Sequence, residues 1–306
     1  MLRFLGRRLS QMIPILLGVS LGAFVFLHAI PGDPARLLAG PDATLADVQG
    51  VAAALGLDRP LPVQYAYFVR NAAVGDFGKS FRSGAPVREV MATHVGPTVE
   101  LAVSAVGLAV VAGMGTGILQ AVRRNTIADY VSTVISVAGV STPSFFLGLV
   151  LIYVLGVGAH WFPTGGIGGV RSLVLPAVTL AAASAAVIAR FTRSSLLEVL
   201  GEDFVRTARA KGVAARRVLV RHTLRNALIP VVTLVGLEFG FLLGGAIVVE
   251  TVFSWPGLGW LLIQSIGFRD YPVLTAEILL FSLQFLAINL IVDVLYAALD
   301  PRVVYA

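Results

Sequence analysis

Six long apolar windows recur along the chain, near residues 9–30, 98–122, 131–158, 173–196, 228–252 and 275–299. Each exceeds the ~20 residues a helix needs to cross ~30 Å of hydrocarbon. Helix is the expected form, because every backbone polar group in lipid must be satisfied within its own segment. Between the windows lie two polar stretches that short turns do not explain: residues 31–96, and a basic, helix-prone island at 203–230. Pro143 is compatible with a local kink in the third span, accommodated by a neighbouring helix or by the hydroxyls of Thr142 and Ser144. The first window is too long for the apolar core of a signal peptide. It runs into Pro31-Gly32-Asp33-Pro34 rather than a small-x-small cleavage site, so it reads as a retained span.

Composition agrees with this layout. Of 306 residues, 57% are hydrophobic and 13% charged, where soluble domains carry about a quarter charged residues. Mean hydropathy is +0.87. There is no cysteine, which excludes disulfides, thiolate nucleophiles and cysteine-ligated metals. The net charge of +6 reads as membrane topology rather than nucleic-acid binding. With six spans both termini share a side. That side carries Arg3, Arg7, Arg8, Arg123, Arg124, Arg190, Arg193, Arg206, Arg209, Lys211, Arg216, Arg217, Arg221, Arg225 and Arg302, or 15 of the 23 basic residues, against five acids. The positive-inside rule makes it cytoplasmic.

Small residues are spaced for close helix contact: Gly113 and Gly117, then Gly236, Gly240 and Gly244, and an alanine-rich run at 181–186. They serve either packing within the chain or an interface with another subunit. In the segment 31–96, Leu55 to Pro62 reads as turn chemistry and Val63 to Val74 as an amphipathic helix, with Tyr65 and Tyr67 near the headgroups.

Candidate chemistry is sparse. Ala73-Val74-Gly75-Asp76-Phe77-Gly78-Lys79-Ser80 nearly spells a phosphate-binding loop, but Ala73 replaces its first glycine and no strand–helix context surrounds it. Gly165 to Gly169 reads as a turn. His28, His94, His160 and His222 lack metal-ligand spacing. No nucleophile–base set is visible, so the chain is expected not to be an enzyme. Glu238, Glu250, Glu277 and Asp293, with Gln284 and Asn289, lie within or at the ends of spans. There an ionisable group costs several kcal/mol unless paired or hydrated. Glu238, Glu277, Gln284, Asn289 and Asp293 are pathway-lining candidates, and the alternative is a set of interhelical clamps. In the basic island, Glu202 and Asp203 favour a helix start, and Val205, Ala208 and Gly212 mark a short helix and a break. Helix resumes from Ala214 and is expected to stop before Pro230. The island is either a topology-setting loop or a helix shaped for a partner's groove.

Arg206-Thr207-Ala208-Arg209-Ala210-Lys211-Gly212 resembles the coupling loop of ATP-binding-cassette importer permeases, in the "RTARAKG" form of the peptide/nickel branch. Arg206 and Thr207 stand where the general motif has Glu and Ala, and the distance from Gly212 to Leu228-Ile229-Pro230 is longer than usual. Similar segments run the whole length: Pro31-Gly32-Asp33-Pro34-Ala35, Leu55 to Leu61, Gln64-Tyr65, Gly75 to Ser80, Phe253 to Gly259, Arg269-Asp270-Tyr271-Pro272 and Asp300-Pro301-Arg302. The resemblance implies an all-α polytopic membrane protein with six transmembrane helices and the type I importer permease fold. The long segment after the first span points to the B-type subunit of dipeptide/oligopeptide permeases.

By that resemblance, residues 1–96 form the first helix plus a long exterior segment. Residues 97–306 form a five-helix core whose coupling helix, about 203–217, presents Asp203, Arg206, Thr207, Ala208, Arg209, Lys211 and Gly212 to an ATPase. Implied partners are a homologous C-type permease subunit, two ATP-binding subunits, an extracytoplasmic substrate-binding protein and membrane lipid, with no nucleic acid. No cofactor is expected in this chain, ATP and Mg belonging to the ATPases. The implied location is the bacterial plasma membrane, with both termini cytoplasmic. Dipeptides and oligopeptides are the expected substrates, with nickel, glutathione or another small solute as alternatives. An ion-coupled transporter working alone is a different class; uptake by this chain without ATPases would reveal it.

Overall fold

The computed structural model describes residues 2–29, 35–36 and 43–299. Pro31 to Pro34 and Asp300 to Arg302 lie outside them. The described residues are helical, with no strand beyond one isolated bridge between Lys79 and Pro86. In chain order the helices are α1 (Leu2–Ala29), α2 (Leu45–Leu55), α3 (Leu61–Ala73), α4 (Val87–Val122), α5 (Ile127–Ser141) and α6 (Ser144–Leu151), which continues as a π-helix (Ile152–Gly158). Then come α7 (Val170–Leu200), α8 (Asp203–Ala210), a single turn Ala215–Arg217 with a π-helix Val218–Leu224, α9 (Arg225–Val252), α10 (Leu258–Phe268) and α11 (Tyr271–Leu299).

Four stretches are long and apolar enough to cross a membrane: Gly6–Phe26, Val87–Val122, Val170–Leu200 and Tyr271–Val294. Two bent pairs bring the number to six when each counts as one span: Ile127–Ser141 with Ser144–Gly158, and the helix through Pro230. The third span is therefore broken rather than kinked, its halves meeting at 108°. The cause is local. Thr142 adopts the extended conformation that a following proline favours (φ −89°, ψ 121°) and Pro143 starts the next helix. Thr142 Oγ1 donates to Ala138 O at 2.7 Å, a carbonyl that already accepts Thr142 N–H. Pro230, by contrast, bends its helix by 49° without stopping it, and the helix runs on to Val252. A spanning segment in lipid has no better state than helix, and an irregular π turn at 218–224 precedes the proline.

The chain divides into two compact units, Met1–Gly96 with Leu261–Ala287, and Pro97–Trp260 with the stretch from Ile288. In the first, α3 lies against the end of α1. Tyr65 donates its hydroxyl to Leu17 O at 3.1 Å and lies 2.9 Å from Ser20 Oγ. Its ring and that of Phe68 surround Phe24. α3 begins at Leu61, two residues before the expected start, and buries no residue fully.

The second unit holds the main core, built from Leu101, Ala105, Ala109, Leu175, Leu180, Ile188, Val249, Phe253 and Trp255 with their neighbours. Gly113 and Gly117 let α4 lie directly on α7. A Cβ at Gly113 would sit 2.6 Å from Ala185 O, and one at Gly117 2.5 Å from Ala189 O. Gly236 likewise abuts Val292. At these three positions the small residues serve packing within the chain, while Gly244 faces nothing within 4 Å.

Candidate functional site

The basic island folds as a short helix, a capped break and a second helical stretch. α8 exposes most of its length and buries only Val205. Asp203 and Arg206 are almost fully exposed and pair at 3.4 Å, a contact worth little at the surface. Thr207 Oγ1 donates back to Asp203 O. The C-terminus is closed by paired turns: Gly212 N–H donates to Arg209 O, and Val213 N–H to Ala208 O. This pattern needs a left-handed residue after the cap, and Gly212 supplies it with φ +75°. Arg206, Thr207, Arg209, Lys211 and Gly212 are exposed and Ala208 is half-buried, so the segment offers a rigid, cationic, unobstructed ridge. Leu196, Ala121 and Ala227 form a small core with Leu219 and Leu224 of the π-helix, and Ser195 Oγ donates to Ala227 O, joining α7 to the start of α9.

The pathway candidates are divided between the two units. Glu277 is fully buried and Gln284 half-buried in the first unit; Glu238, Asn289 and Asp293 are half-buried in the second. Glu250, noted in the sequence only as a polar group at a helix end, is a structural hub. It is wholly buried. Thr98 Oγ1 donates to one carboxylate oxygen at 2.7 Å, and Trp260 N–H to the other at 3.1 Å. Gly259 N–H donates to the carboxylate as well. Thr98 Oγ1 in turn accepts Leu258 N–H at 2.7 Å. A carboxylate and a hydroxyl thus satisfy the orphan donors of the first turn of α10. Gly257 and Gly259 are glycines because any Cβ there would collide with this carboxylate or with Ile247.

Two further carboxylates escaped sequence reasoning. Asp129, buried at the start of α5, takes a bidentate pair from Arg193 of α7 (3.1 and 3.0 Å) and Asn125 N–H at 3.0 Å. Arg193 thus holds the loop between the second and third spans, beyond its part in the charge count. Asp270, 3% exposed, binds the near-phosphate-loop stretch. It accepts Ser80 Oγ at 2.5 Å, Phe81 N–H at 2.9 Å and Arg82 N–H at 3.4 Å. The stretch thus ends on the protein's own carboxylate, through the Ser80 hydroxyl and the two amides that follow it, while Ser80 N–H donates to Ala85 O and Gly78 N–H to Asp76. Among the described residues no group of three or more His, Asp or Glu is placed to hold a metal ion.

Comparison with known proteins agrees along the whole chain. The family described as "Binding-protein-dependent transport system inner membrane component" matches residues 113–305, and "Binding-prot-dependent transport system membrane comp, N-term" matches residues 1–102. The chain is 52% identical over 305 residues to the glutathione transport system permease protein GsiC of Escherichia coli (strain K12), covering 100% of both chains. The same figures hold for that protein of Shigella dysenteriae serotype 1 (strain Sd197). Among solved structures, the inward-facing MetNI methionine ABC transporter matches with TM-score 0.59 and 21% identity, covering 70% of this chain and 97% of that one. An amino acid ABC transporter solved with histidines matches with TM-score 0.57 and 16% identity, covering 69% and 94%. At such identities the likeness is one of fold.

Proposed function

Because the chain belongs to the binding-protein-dependent transport system inner membrane component family, and so is a multi-pass inner-membrane permease subunit of an ATP-binding-cassette importer, we propose that it carries glutathione or a closely related short peptide. The 52% identity to glutathione permeases over the whole of both chains supports this substrate above the others. It moves glutathione ahead of the dipeptides and oligopeptides that the sequence motifs put first. In this reading the chain shares the pathway with a homologous permease subunit. An extracytoplasmic binding protein delivers substrate, and two ATPases dock at α8 from the cytoplasm, where both termini lie.

The exposed cationic ridge Asp203–Gly212 is the coupling element. Its capped end at Gly212, the burial of Val205 and its packing against the π-helix Val218–Leu224 make it move with the start of α9 rather than as a loose loop. ATP binding then draws the two ridges together and turns the pathway outward, and hydrolysis resets it. Glu238, Glu277, Gln284, Asn289 and Asp293 are the groups we assign to the path.

The test is uptake by the full assembly in proteoliposomes, with labelled glutathione, a dipeptide, an oligopeptide and nickel offered separately. Glutathione uptake that is ATP-dependent and resists dipeptide competition is expected. Preferential dipeptide uptake would return the substrate to the peptide reading. For the ridge, Gly212→Val, or Arg206→Glu with Arg209→Glu, is expected to abolish uptake while membrane insertion persists. Normal uptake by these variants would remove the coupling role.

A further inference from the structure

We propose that Asp270 is a positioning residue for transport, fusing the loop 75–86 and the α10–α11 corner into one rigid collar on the side that the charge count assigns to the exterior. Six contacts carry this, all within the first unit. The Asp270 carboxylate takes the Ser80 hydroxyl and the Phe81 and Arg82 amides. Ser80 Oγ also accepts Ser83 N–H at 3.0 Å, closing the turn that presents those amides. The Arg82 guanidinium lies 3.8 Å over the Phe268 ring, and Phe81 meets Tyr271 edge to face at 6.2 Å. Three consecutive loop residues thus engage the corner 268–271, and Ser80 and Asp270 are each 3% exposed.

The corner itself is wound tightly: Arg269 has φ +55°, and Asp270 N–H donates to Ser265 O. Asp270 O begins α11 by accepting Leu274 N–H, which leaves the side chain free for the loop. The loop is braced at its other end, with Ser80 N–H on Ala85 O and Val87 N–H on Gly78 O, and then runs straight into α4. A buried carboxylate with these donors separates only at a cost in unsatisfied amides. The starts of α4 and α11 therefore move together, and the pathway opens elsewhere.

This inference rests on the transport reading. It is tested in the complete assembly, in a chain that has no native cysteine to interfere. Asp270→Asn keeps the shape but sets an NH2 group against donors. It is expected to lower maximal uptake about tenfold with the KM for substrate and ATP hydrolysis unchanged. Arg82→Cys with Phe268→Cys, joined by a short bifunctional thiol reagent, is expected to transport as well as the untreated pair. The same cross-link placed in Asp270→Asn is expected to restore uptake. Loss of uptake on cross-linking the otherwise native chain would show that loop and corner part during the cycle, and would overturn the proposal. So would normal uptake by Asp270→Asn, or its failure to recover when cross-linked. An unmodified assembly that took up nothing would instead count against the transport reading.

Discussion

Glu250→Ala provides the most direct measure of what holds the second unit together. The side chain is completely buried and accepts from Thr98, Trp260 and Gly259. Removing it strands three donors where water does not reach. Each such donor costs about 1–3 kcal/mol. The Thr98 hydroxyl relieves part of this by rotating, so about 3–5 kcal/mol of lost stability is expected. At about 2 °C per kcal/mol for a chain of this size, melting should fall by roughly 6–10 °C. Glu250→Gln keeps one acceptor oxygen for the α10 amides and turns its NH2 toward Thr98, so about a third of that loss is expected. The assay is thermal stability in detergent by fluorescence-detected size exclusion. Thr98→Val and the double variant complete a cycle. Because Thr98 and Glu250 serve the same helix end, their effects should be strongly non-additive. A Glu250→Ala protein melting within about 1 °C of the native chain would refute the hub.

Three other expectations follow from single contacts. Gly117→Leu forces a side chain into the Ala189 carbonyl and Thr192; it should prevent folding, seen as loss of the monodisperse peak after membrane extraction, and a normal peak would contradict the α4–α7 contact. Arg193→Ala leaves the Asp129 carboxylate with only the Asn125 amide, so a lower melting temperature is expected, and Asp129→Asn in the same chain should recover part of the loss in melting experiments. In α2, the Thr44 hydroxyl and amide donate to Asp47 and hold its carboxyl below its ordinary value. A depressed carboxyl stabilises the folded form above its unfolded pKa, and the contribution is lost as pH falls through the folded pKa. Carbon-13 titration should therefore place Asp47 below the usual ~3.9, and Thr44→Ala should raise it; an unmoved midpoint would dissolve the capping box.

Features governed by contiguous chain were legible in the sequence. Lipid requires a long apolar run for each crossing, so the windows at 98–122 and 173–196 fall inside α4 and α7. Gly212 was readable as a break because a left-handed cap selects glycine whatever surrounds it. Local rules failed where tertiary packing or the bilayer outweighs them. Pro230 satisfies every criterion for a helix stop, yet the helix continues, because a break at membrane depth leaves more backbone unsatisfied than one missing amide. Pro143 was read as a kink and is a 108° turn. Sequence fixes the conformation of Thr142, whereas the angle depends on what the two halves pack against. The polar clamps were the least visible, because their partners lie far along the chain. Ser80 and Asp270 are 190 residues apart, Thr98 and Glu250 152, and Asp129 and Arg193 64.

Those three carboxylates obey one rule that no local pattern reveals. Each lies beside irregular backbone: Asp129 at the loop before α5, Glu250 at the turn before α10, Asp270 at the corner before α11. Each accepts at least one backbone N–H that has no helical partner, from Asn125, from Gly259 and Trp260, and from Phe81 and Arg82. A carboxylate suits the task better than an amide or hydroxyl because it only accepts, and it offers about four lone-pair positions to converging donors. Irregular backbone near a bilayer survives only where the protein itself satisfies it. In a chain with 17 acidic residues, placing three of them at such junctions makes the turns as fixed as the spans they connect. In the proposed coupling from ATPase to pathway this matters, since motion applied at one end of a helix reaches the other only if the corners do not yield.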